Sequence, residues 1–116
     1  MRSESLKFLD LFAGAGGLSE GFTRAGFIPV AHVESDQAAC FTLQTRMAWS
    51  WLKSQGLEEH YINYLKGNIE RSDLYAMIPK KNIHSVINVE IGKDSLPKIF
   101  GQVDEYLGNK TLDLII

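Results

Sequence analysis

Residues 8–18 of the chain are Phe8-Leu9-Asp10-Leu11-Phe12-Ala13-Gly14-Ala15-Gly16-Gly17-Leu18, an apolar run that passes directly into a glycine-rich loop. Apolar residues then recur at the spacing of one helix face as far as Gly26, which is placed to end that helix. A second apolar run, Ile28–Val33, follows and leads into Glu34. This succession of strand, glycine loop, helix and strand predicts a βαβ unit of roughly 30 residues.

The remainder of the chain alternates between helical and extended patterns. Helices are predicted over 37–53, 73–78 and 94–107, and extended runs over 85–91 and 112–116. Residues 57–66 form either a further helix or a segment that turns extended at 64–66. Ser72 is placed as the N-cap of the 73–78 helix. The alternation predicts an α/β fold with a mostly parallel sheet.

Length and composition exclude several classes of protein. The chain has 116 residues, 45% of them hydrophobic, which is at most one domain and too apolar for intrinsic disorder. Its 12 basic and 14 acidic residues are not the balance of a free-standing nucleic-acid binder. No apolar run is long enough for a membrane span, and the single cysteine, Cys40, fits a reducing, cytoplasmic location.

The chain ends in the apolar run Leu112–Ile116, without a polar closing turn. Such a run is typical of a buried strand, whereas natural termini usually lie in polar surface segments. We therefore expect the 116 residues to be part of a longer protein. The alternative is a native terminal strand.

The glycine loop and Glu34 together predict a nucleoside-containing cofactor. Glycines let backbone N–H groups approach a ligand closely, and the helix that follows adds the positive end of its dipole. Glu34 lies 20 residues after Gly14, where a carboxylate can accept hydrogen bonds from both ribose hydroxyls. The residues alone leave two cofactors open, a dinucleotide and S-adenosylmethionine.

Residues 8–18 resemble the first conserved motif of DNA (cytosine-5)-methyltransferases, whose core is Asp-Leu-Phe-x-Gly-x-Gly-Gly. Four later segments are similar to the family's following motifs: Ala25-Gly26-Phe27, Val33–Ala39, Lys66–Ile69 and Leu112–Ile116. The last of these resembles the strand that leads into the family's Pro-Cys catalytic loop. Two stretches, Trp49–Tyr61 and Asn82–Gly108, look like insertions relative to shorter members.

The resemblance implies the N-terminal half of a Rossmann-like class I methyltransferase domain, spanning residues 1–116, with strands in the order 3-2-1-4 and helices on both faces. It also implies S-adenosylmethionine as the cofactor. The backbone of the glycine loop would hold the methionine part, Glu34 the ribose and Ser35 would flank the adenine. The Asn68 amide oxygen would accept from the adenine amino group in place of the family's usual aspartate, and Ile69 would pack on the adenine face. The implied cofactor-binding residues are Phe12, Ala13, Gly14, Ala15, Gly16, Gly17, Leu18, Glu34, Ser35, Asn68 and Ile69.

The family reaction implies a nucleophile that these residues do not supply. A cysteine thiolate attacks C6 of a flipped cytosine in DNA, and methyl transfer to C5 follows. Cys40 lies within an apolar helical pattern, without a preceding proline, so no catalytic residue is assigned and the nucleophile is expected shortly after Ile116. No metal site is predicted either, because the three histidines lack ligand spacing.

The resemblance therefore predicts the cofactor half of a bacterial, cytoplasmic enzyme that methylates DNA in restriction–modification and is inactive as this fragment. The open edge of the C-terminal strand predicts self-association. One alternative is a non-catalytic S-adenosylmethionine-binding module or one chain of a split enzyme. Another is an NAD-dependent oxidoreductase domain.

Overall fold

The computed structural model describes residues 5–116. Residues 5–43 and 85–116 form one compact unit, and residues 44–84 form a second. The strands are β1 (Lys7–Asp10), β2 (Ile28–Glu34), β3 (Val86–Asn88) and β4 (Leu114–Ile115). The helices are α1 (Gly17–Arg24), α2 (Gln37–Ser54), α3 (Glu58–Leu65), α4 (Arg71–Ala76), α5 (Lys80–His84) and α6 (Leu96–Leu107).

The four strands form one parallel sheet in the order β3-β2-β1-β4. Both the parallel pairing and the strand order confirm the predictions, and the unit is a mixed α/β fold of the Rossmann-like type. Asp10 is paired in register with His32, and Glu34 with Asn88. Because all strands run the same way, the residues that end them share one edge of the sheet.

Helices cover both faces of the sheet, as predicted. Successive residues of a strand point to opposite faces, so Phe8 and Leu9 of β1 face different helices. The Phe8 ring lies 5.6 Å from that of Phe22 in α1. Leu9 belongs to a buried cluster with Ile99 and Val103 of α6.

Helix α1 ends as its sequence predicts. Gly26 has a φ of 95°, a left-handed conformation that glycine adopts without a steric penalty. Its N–H donates to the carbonyl of Thr23, and the N–H of Phe27 donates to that of Phe22, both at 3.1 Å. This is a Schellman motif, and the Phe22 and Phe27 rings close it with centroids 5.3 Å apart.

The second unit has a core of its own. Five buried apolar residues form it, contributed by the end of α2 and by residues of the 71–84 segment: Ala48, Leu52, Leu74, Ile78 and Ile83. Helix α4 begins at Arg71, because Glu70 is its N-cap in a capping box with Asp73. The prediction of Ser72 as N-cap was therefore wrong.

None of the helices described here is both long and apolar enough to cross a membrane.

Candidate functional site

The glycine loop joins β1 to α1 at the carboxyl edge of the sheet. The N–H of Ala13 donates to the Val33 carbonyl at 3.0 Å, which fixes the loop against the end of β2. Gly14 and Gly16 have φ angles of 55° and 91°, in the left-handed region that favours glycine. The N–H of Gly16 turns back to the Ala13 carbonyl at 3.0 Å, so the chain reverses tightly before the helix.

The first turn of α1 follows this loop, and no side chain accepts a hydrogen bond from its backbone N–H groups. Gly16 is the N-cap, and because glycine has no side-chain acceptor, the helix has no side-chain cap hydrogen bond. The first intrahelical bond is from the Glu20 N–H to the Gly16 carbonyl at 2.9 Å. The N–H groups of Gly17, Leu18 and Ser19 therefore precede the helical ladder, at the positive end of the helix dipole. Such a terminus suits an anionic group.

Glu34 links the loop to the turn after β2. Its Oε1 accepts from the Gly14 N–H at 2.9 Å, and its Oε2 accepts from the Asp36 N–H at 2.7 Å. These donors, that of Asp36 first, hold the pKa of the Glu34 carboxyl below its ordinary value. Glu34 is thus ionised at neutral pH, and its carboxylate is a hydrogen-bond acceptor at the edge of the loop. The Gly14 bond is a feature that the sequence spacing did not predict.

Apolar side chains flank the loop. Phe12 is 79% exposed and Leu18 is 63% exposed. Ala13, between the loop and β2, is buried. An exposed aromatic ring beside a polar loop can lie against a planar ligand group.

A buried polar group lies beneath the loop. The Ser19 hydroxyl and His32 Nε2 are 2.7 Å apart, which ties α1 to β2. Burial lowers the pKa of His32 to about 4, so the imidazole is neutral at physiological pH. Burial also raises the pKa of Asp10, against the opposing effect of a hydrogen bond from the Phe12 N–H. Within residues 5–116, Asp10 Oδ2 and His32 Nδ1 are buried side-chain atoms with no hydrogen-bond partner.

Cys40 is buried, with 2% of its surface exposed, and its Sγ donates to the Glu34 carbonyl at 3.3 Å. Burial raises the pKa of the thiol, and the nearby charges of Glu34 and Asp36 raise it further. A thiol in this environment is a poor nucleophile at neutral pH. No three His, Cys, Asp or Glu side chains in the described part of the chain are grouped so that they could hold a metal ion.

The predicted residues fall into both units. Phe12 to Leu18, Glu34 and Ser35 come together at the carboxyl edge of the sheet. Asn68 and Ile69 belong to the second unit, in the turn between α3 and α4. The exposed Asn68 amide donates to Asn63 Oδ1 at 3.3 Å, and the half-buried Ile69 packs against the core of that unit.

Comparison with known proteins bears directly on this loop. A family model described as C-5 cytosine-specific DNA methylase matches residues 6–74, which include the whole glycine loop and Glu34. The chain belongs to the C-5 cytosine-specific DNA methylase family.

Curated relatives of this methylase chain are named as type II methyltransferases. M.Bpa9945I of Bacillus paralicheniformis is 39% identical over 88 residues, 72% of the chain and 20% of the relative. M.PspPI of a Psychrobacter species is 38% identical over 69 residues, 59% of the chain and 16% of the relative. M1.HphI of Haemophilus parahaemolyticus is 53% identical over 38 residues, 33% of the chain and 10% of the relative. The matched stretches thus span a fifth or less of these proteins. No solved structure matches the chain.

Proposed function

We propose that this chain is the S-adenosylmethionine-binding part of an enzyme that methylates C5 of cytosine in DNA, in restriction–modification. The observation that carries this proposal is the 2.9 Å hydrogen bond between the Gly14 N–H and Glu34. The bond holds next to the glycine loop a carboxylate of the kind that binds ribose hydroxyls in nucleotide-binding folds. The family's reaction also needs a methyl donor. The type II methyltransferase names of the relatives support the restriction–modification setting.

Each part of the site has a role in this proposal. The N–H groups at the start of α1 bind the carboxylate of the methionine part, and the loop backbone from Phe12 to Leu18 encloses it. The Glu34 carboxylate accepts from the two ribose hydroxyls. The exposed Phe12 ring packs on the cofactor, and Ser35 flanks the adenine.

Asn68 and Ile69 are proposed as adenine contacts. The support is their place in the Lys66–Ile69 segment, which resembles the family's third motif. The Asn68 amide oxygen would accept from the adenine amino group without the charge of an aspartate.

The bound cofactor would supply an activated methyl group, and the residues described here hold and orient it. Cys40 is not the nucleophile in this proposal, because its thiol is buried and its pKa is raised. The DNA substrate and the complete reaction are those of a longer polypeptide or of a complex with a second chain. A split enzyme of this kind is the alternative form of the same proposal.

Calorimetric titration of the chain with S-adenosylmethionine and with NAD tests the cofactor. We expect binding of S-adenosylmethionine, and a loss of about tenfold or more in affinity in Glu34→Ala. Tight binding of NAD without binding of S-adenosylmethionine would overturn the proposal. Unchanged affinity in Glu34→Ala would overturn the ribose assignment alone.

Transfer of a labelled methyl group to DNA tests whether the chain alone catalyses methylation. The chain alone is expected to leave cytosine-containing DNA unmodified, because it lacks a reactive thiol among the described residues. Methylation by the chain alone, abolished in Cys40→Ala, would contradict this part of the proposal.

A further inference from the structure

The turn that carries Glu34 is held from the neighbouring strand β3. In the sheet, Glu34 of β2 is paired in register with Asn88, the last residue of β3. The Val89 N–H donates to the Glu34 carbonyl at 3.1 Å, which continues the pairing one residue further. Asn88 itself is exposed, so its side chain is not needed to fill a core.

The Asn88 amide faces two backbone carbonyls. Its Nδ2 donates to the Ser35 carbonyl at 3.0 Å and to the Glu34 carbonyl at 3.3 Å, in the amide orientation that satisfies these groups. The opposite orientation would bring the amide oxygen against two acceptors, so only the donor orientation is favourable.

The peptide bond between Ser35 and Asp36 connects this contact to the site. Its carbonyl, from Ser35, accepts from Asn88. Its N–H, from Asp36, donates to Glu34 Oε2 at 2.7 Å. The two groups belong to one rigid planar unit, so holding the carbonyl also fixes the direction of the N–H. The other oxygen of Glu34 then accepts from the Gly14 N–H at 2.9 Å.

We propose that Asn88 is a positioning residue for the cofactor site: by holding the Ser35–Asp36 peptide, its amide orients the Glu34 carboxylate. The series of hydrogen bonds runs from Asn88 through this peptide and Glu34 to Gly14 of the loop. The functional consequence rests on the proposed binding of S-adenosylmethionine, whereas the positioning itself is a property of the protein without ligand.

Asn88→Leu tests the inference, because leucine has nearly the shape of asparagine but no donor. Amide hydrogen exchange, measured by NMR on the protein without ligand, should become about tenfold faster at Asp36. Titration of the Glu34 carboxyl carbon should show a pKa nearer its ordinary value, since the Asp36 N–H is then less well aligned. Calorimetry should show affinity for S-adenosylmethionine lowered about fivefold.

Two further variants separate positioning from general damage to the fold. Asn88→Gln retains an amide donor and should recover much of the protection at Asp36. Asn109→Leu makes the same change at an exposed asparagine in the connection between α6 and β4, and should leave exchange at Asp36 unchanged.

The outcomes distinguish this inference from the proposed function. Unchanged exchange at Asp36 and an unchanged Glu34 titration in Asn88→Leu would overturn the inference, whatever the cofactor. If the leucine variant does not fold, the Asn88→Gln protein decides. Rapid exchange of the Asp36 amide in a folded Asn88→Gln protein would equally overturn the inference. Failure of the wild-type protein to bind S-adenosylmethionine would overturn the proposed function, while the NMR measurements would still decide on Asn88.

Discussion

At the scale of single residues, the backbone conformation at Gly17 is one that any residue can adopt, so it does not require glycine. Gly17 is absent from the glycines with positive φ, and a Cβ added there would meet nothing within 4 Å. Gly17 is the first residue of α1, next to the space proposed for the cofactor. Under the proposed function, the absence of a side chain at Gly17 leaves room for the cofactor beside the first turn of α1.

Gly17→Ala should separate binding from stability. We expect the free energy of unfolding to stay within about 1 kcal/mol of the wild type, since alanine favours the helix. Affinity for S-adenosylmethionine should fall about tenfold or more, because the methyl group enters the binding space. Gly21→Ala, one turn further along α1 and also without neighbours within 4 Å, is the matched control and should bind normally. Equal effects of the two variants on binding would contradict the clearance argument.

His32 should make the fold sensitive to acid. The unfolded chain takes up this proton near pH 6.5, the ordinary value, whereas in the folded protein burial lowers the pKa to about 4. Between these values the unfolded state binds more protons, so the free energy of unfolding falls as the pH falls, by about 3 kcal/mol in total. Asp10 acts in the opposite direction as the pH falls, because burial raises its pKa and thereby favours protonation of the folded state.

Urea unfolding at pH 7 and pH 4.5 measures this effect. His32→Gln removes the titrating group and retains a side chain that can bond to the Ser19 hydroxyl. Its stability should therefore depend less on pH across this range than that of the wild type. Parallel losses in the two proteins would assign the acid sensitivity to other groups.

At the scale of helices and strands, local signals predicted the βαβ unit well. The first two strands, the glycine loop and α1 follow from apolar runs, glycine positions and helical spacing, all within short distances along the chain. Two errors come from competing local signals. Ser72 is a good N-cap type, but the reciprocal pair of Glu70 and Asp73 starts α4 earlier. No helix was predicted between residues 78 and 85, so the short helix α5 was missed.

The hydrogen bonds of Glu34 could not be predicted in the same way. The spacing of 20 residues indicated a carboxylate at the correct edge of the sheet, and the structure places Glu34 there. Its contact with Gly14 depends on the pairing of β1 with β2, which includes a register shift between Phe8 and Leu9. Such a shift leaves no recognisable pattern in the sequence.

Substitution by alanine should change the stability of the protein in opposite directions at Gly26 and at Gly101. Gly26→Ala imposes a left-handed conformation on alanine at the end of α1 and should cost about 1 kcal/mol of stability. Gly101 lies inside α6, is exposed, and has no neighbour within 4 Å of an added Cβ. Gly101→Ala should therefore stabilise the protein by about 0.5–1 kcal/mol. Thermal unfolding of both variants measures the difference, and destabilisation by Gly101→Ala would contradict this account of α6.

At the scale of the whole molecule, the division into two units was not predicted. The resemblance treated Trp49–Tyr61 as an insertion, but residues 44–84 together form a unit with its own buried core. A core of this kind depends on contacts between helices that are distant in the sequence. Periodicity identifies which residues are apolar in each helix, yet not which helices they meet.

The edge strand β4 is proposed to support self-association of the chain. Among the described strands, β4 pairs only with β1, and Ile115 is 50% exposed. An unpaired strand edge with an apolar side chain is a site for pairing with another copy. Sedimentation velocity should therefore show association that increases with protein concentration.

Ile115→Lys should reduce this association, because a charge on an edge strand opposes pairing. Ile62→Lys is the matched control: Ile62 is 43% exposed, but it lies on helix α3 and not on a strand edge. A wild-type chain that stays monomeric at high concentration would contradict the proposal. Equal effects of the two lysine variants would show that the association does not use the β4 edge.

The bond between Gly14 and Glu34 joins two groups of the protein itself and ties the glycine loop to the end of β2. The glycine loop is therefore preorganised, and the entropy of ordering it is lost during folding and not when a cofactor arrives. An incoming cofactor would meet a rigid receptor, without an induced-fit step at the loop. Stopped-flow binding should then give one phase whose rate rises linearly with ligand concentration, and the loop should have the same conformation in the free and bound protein.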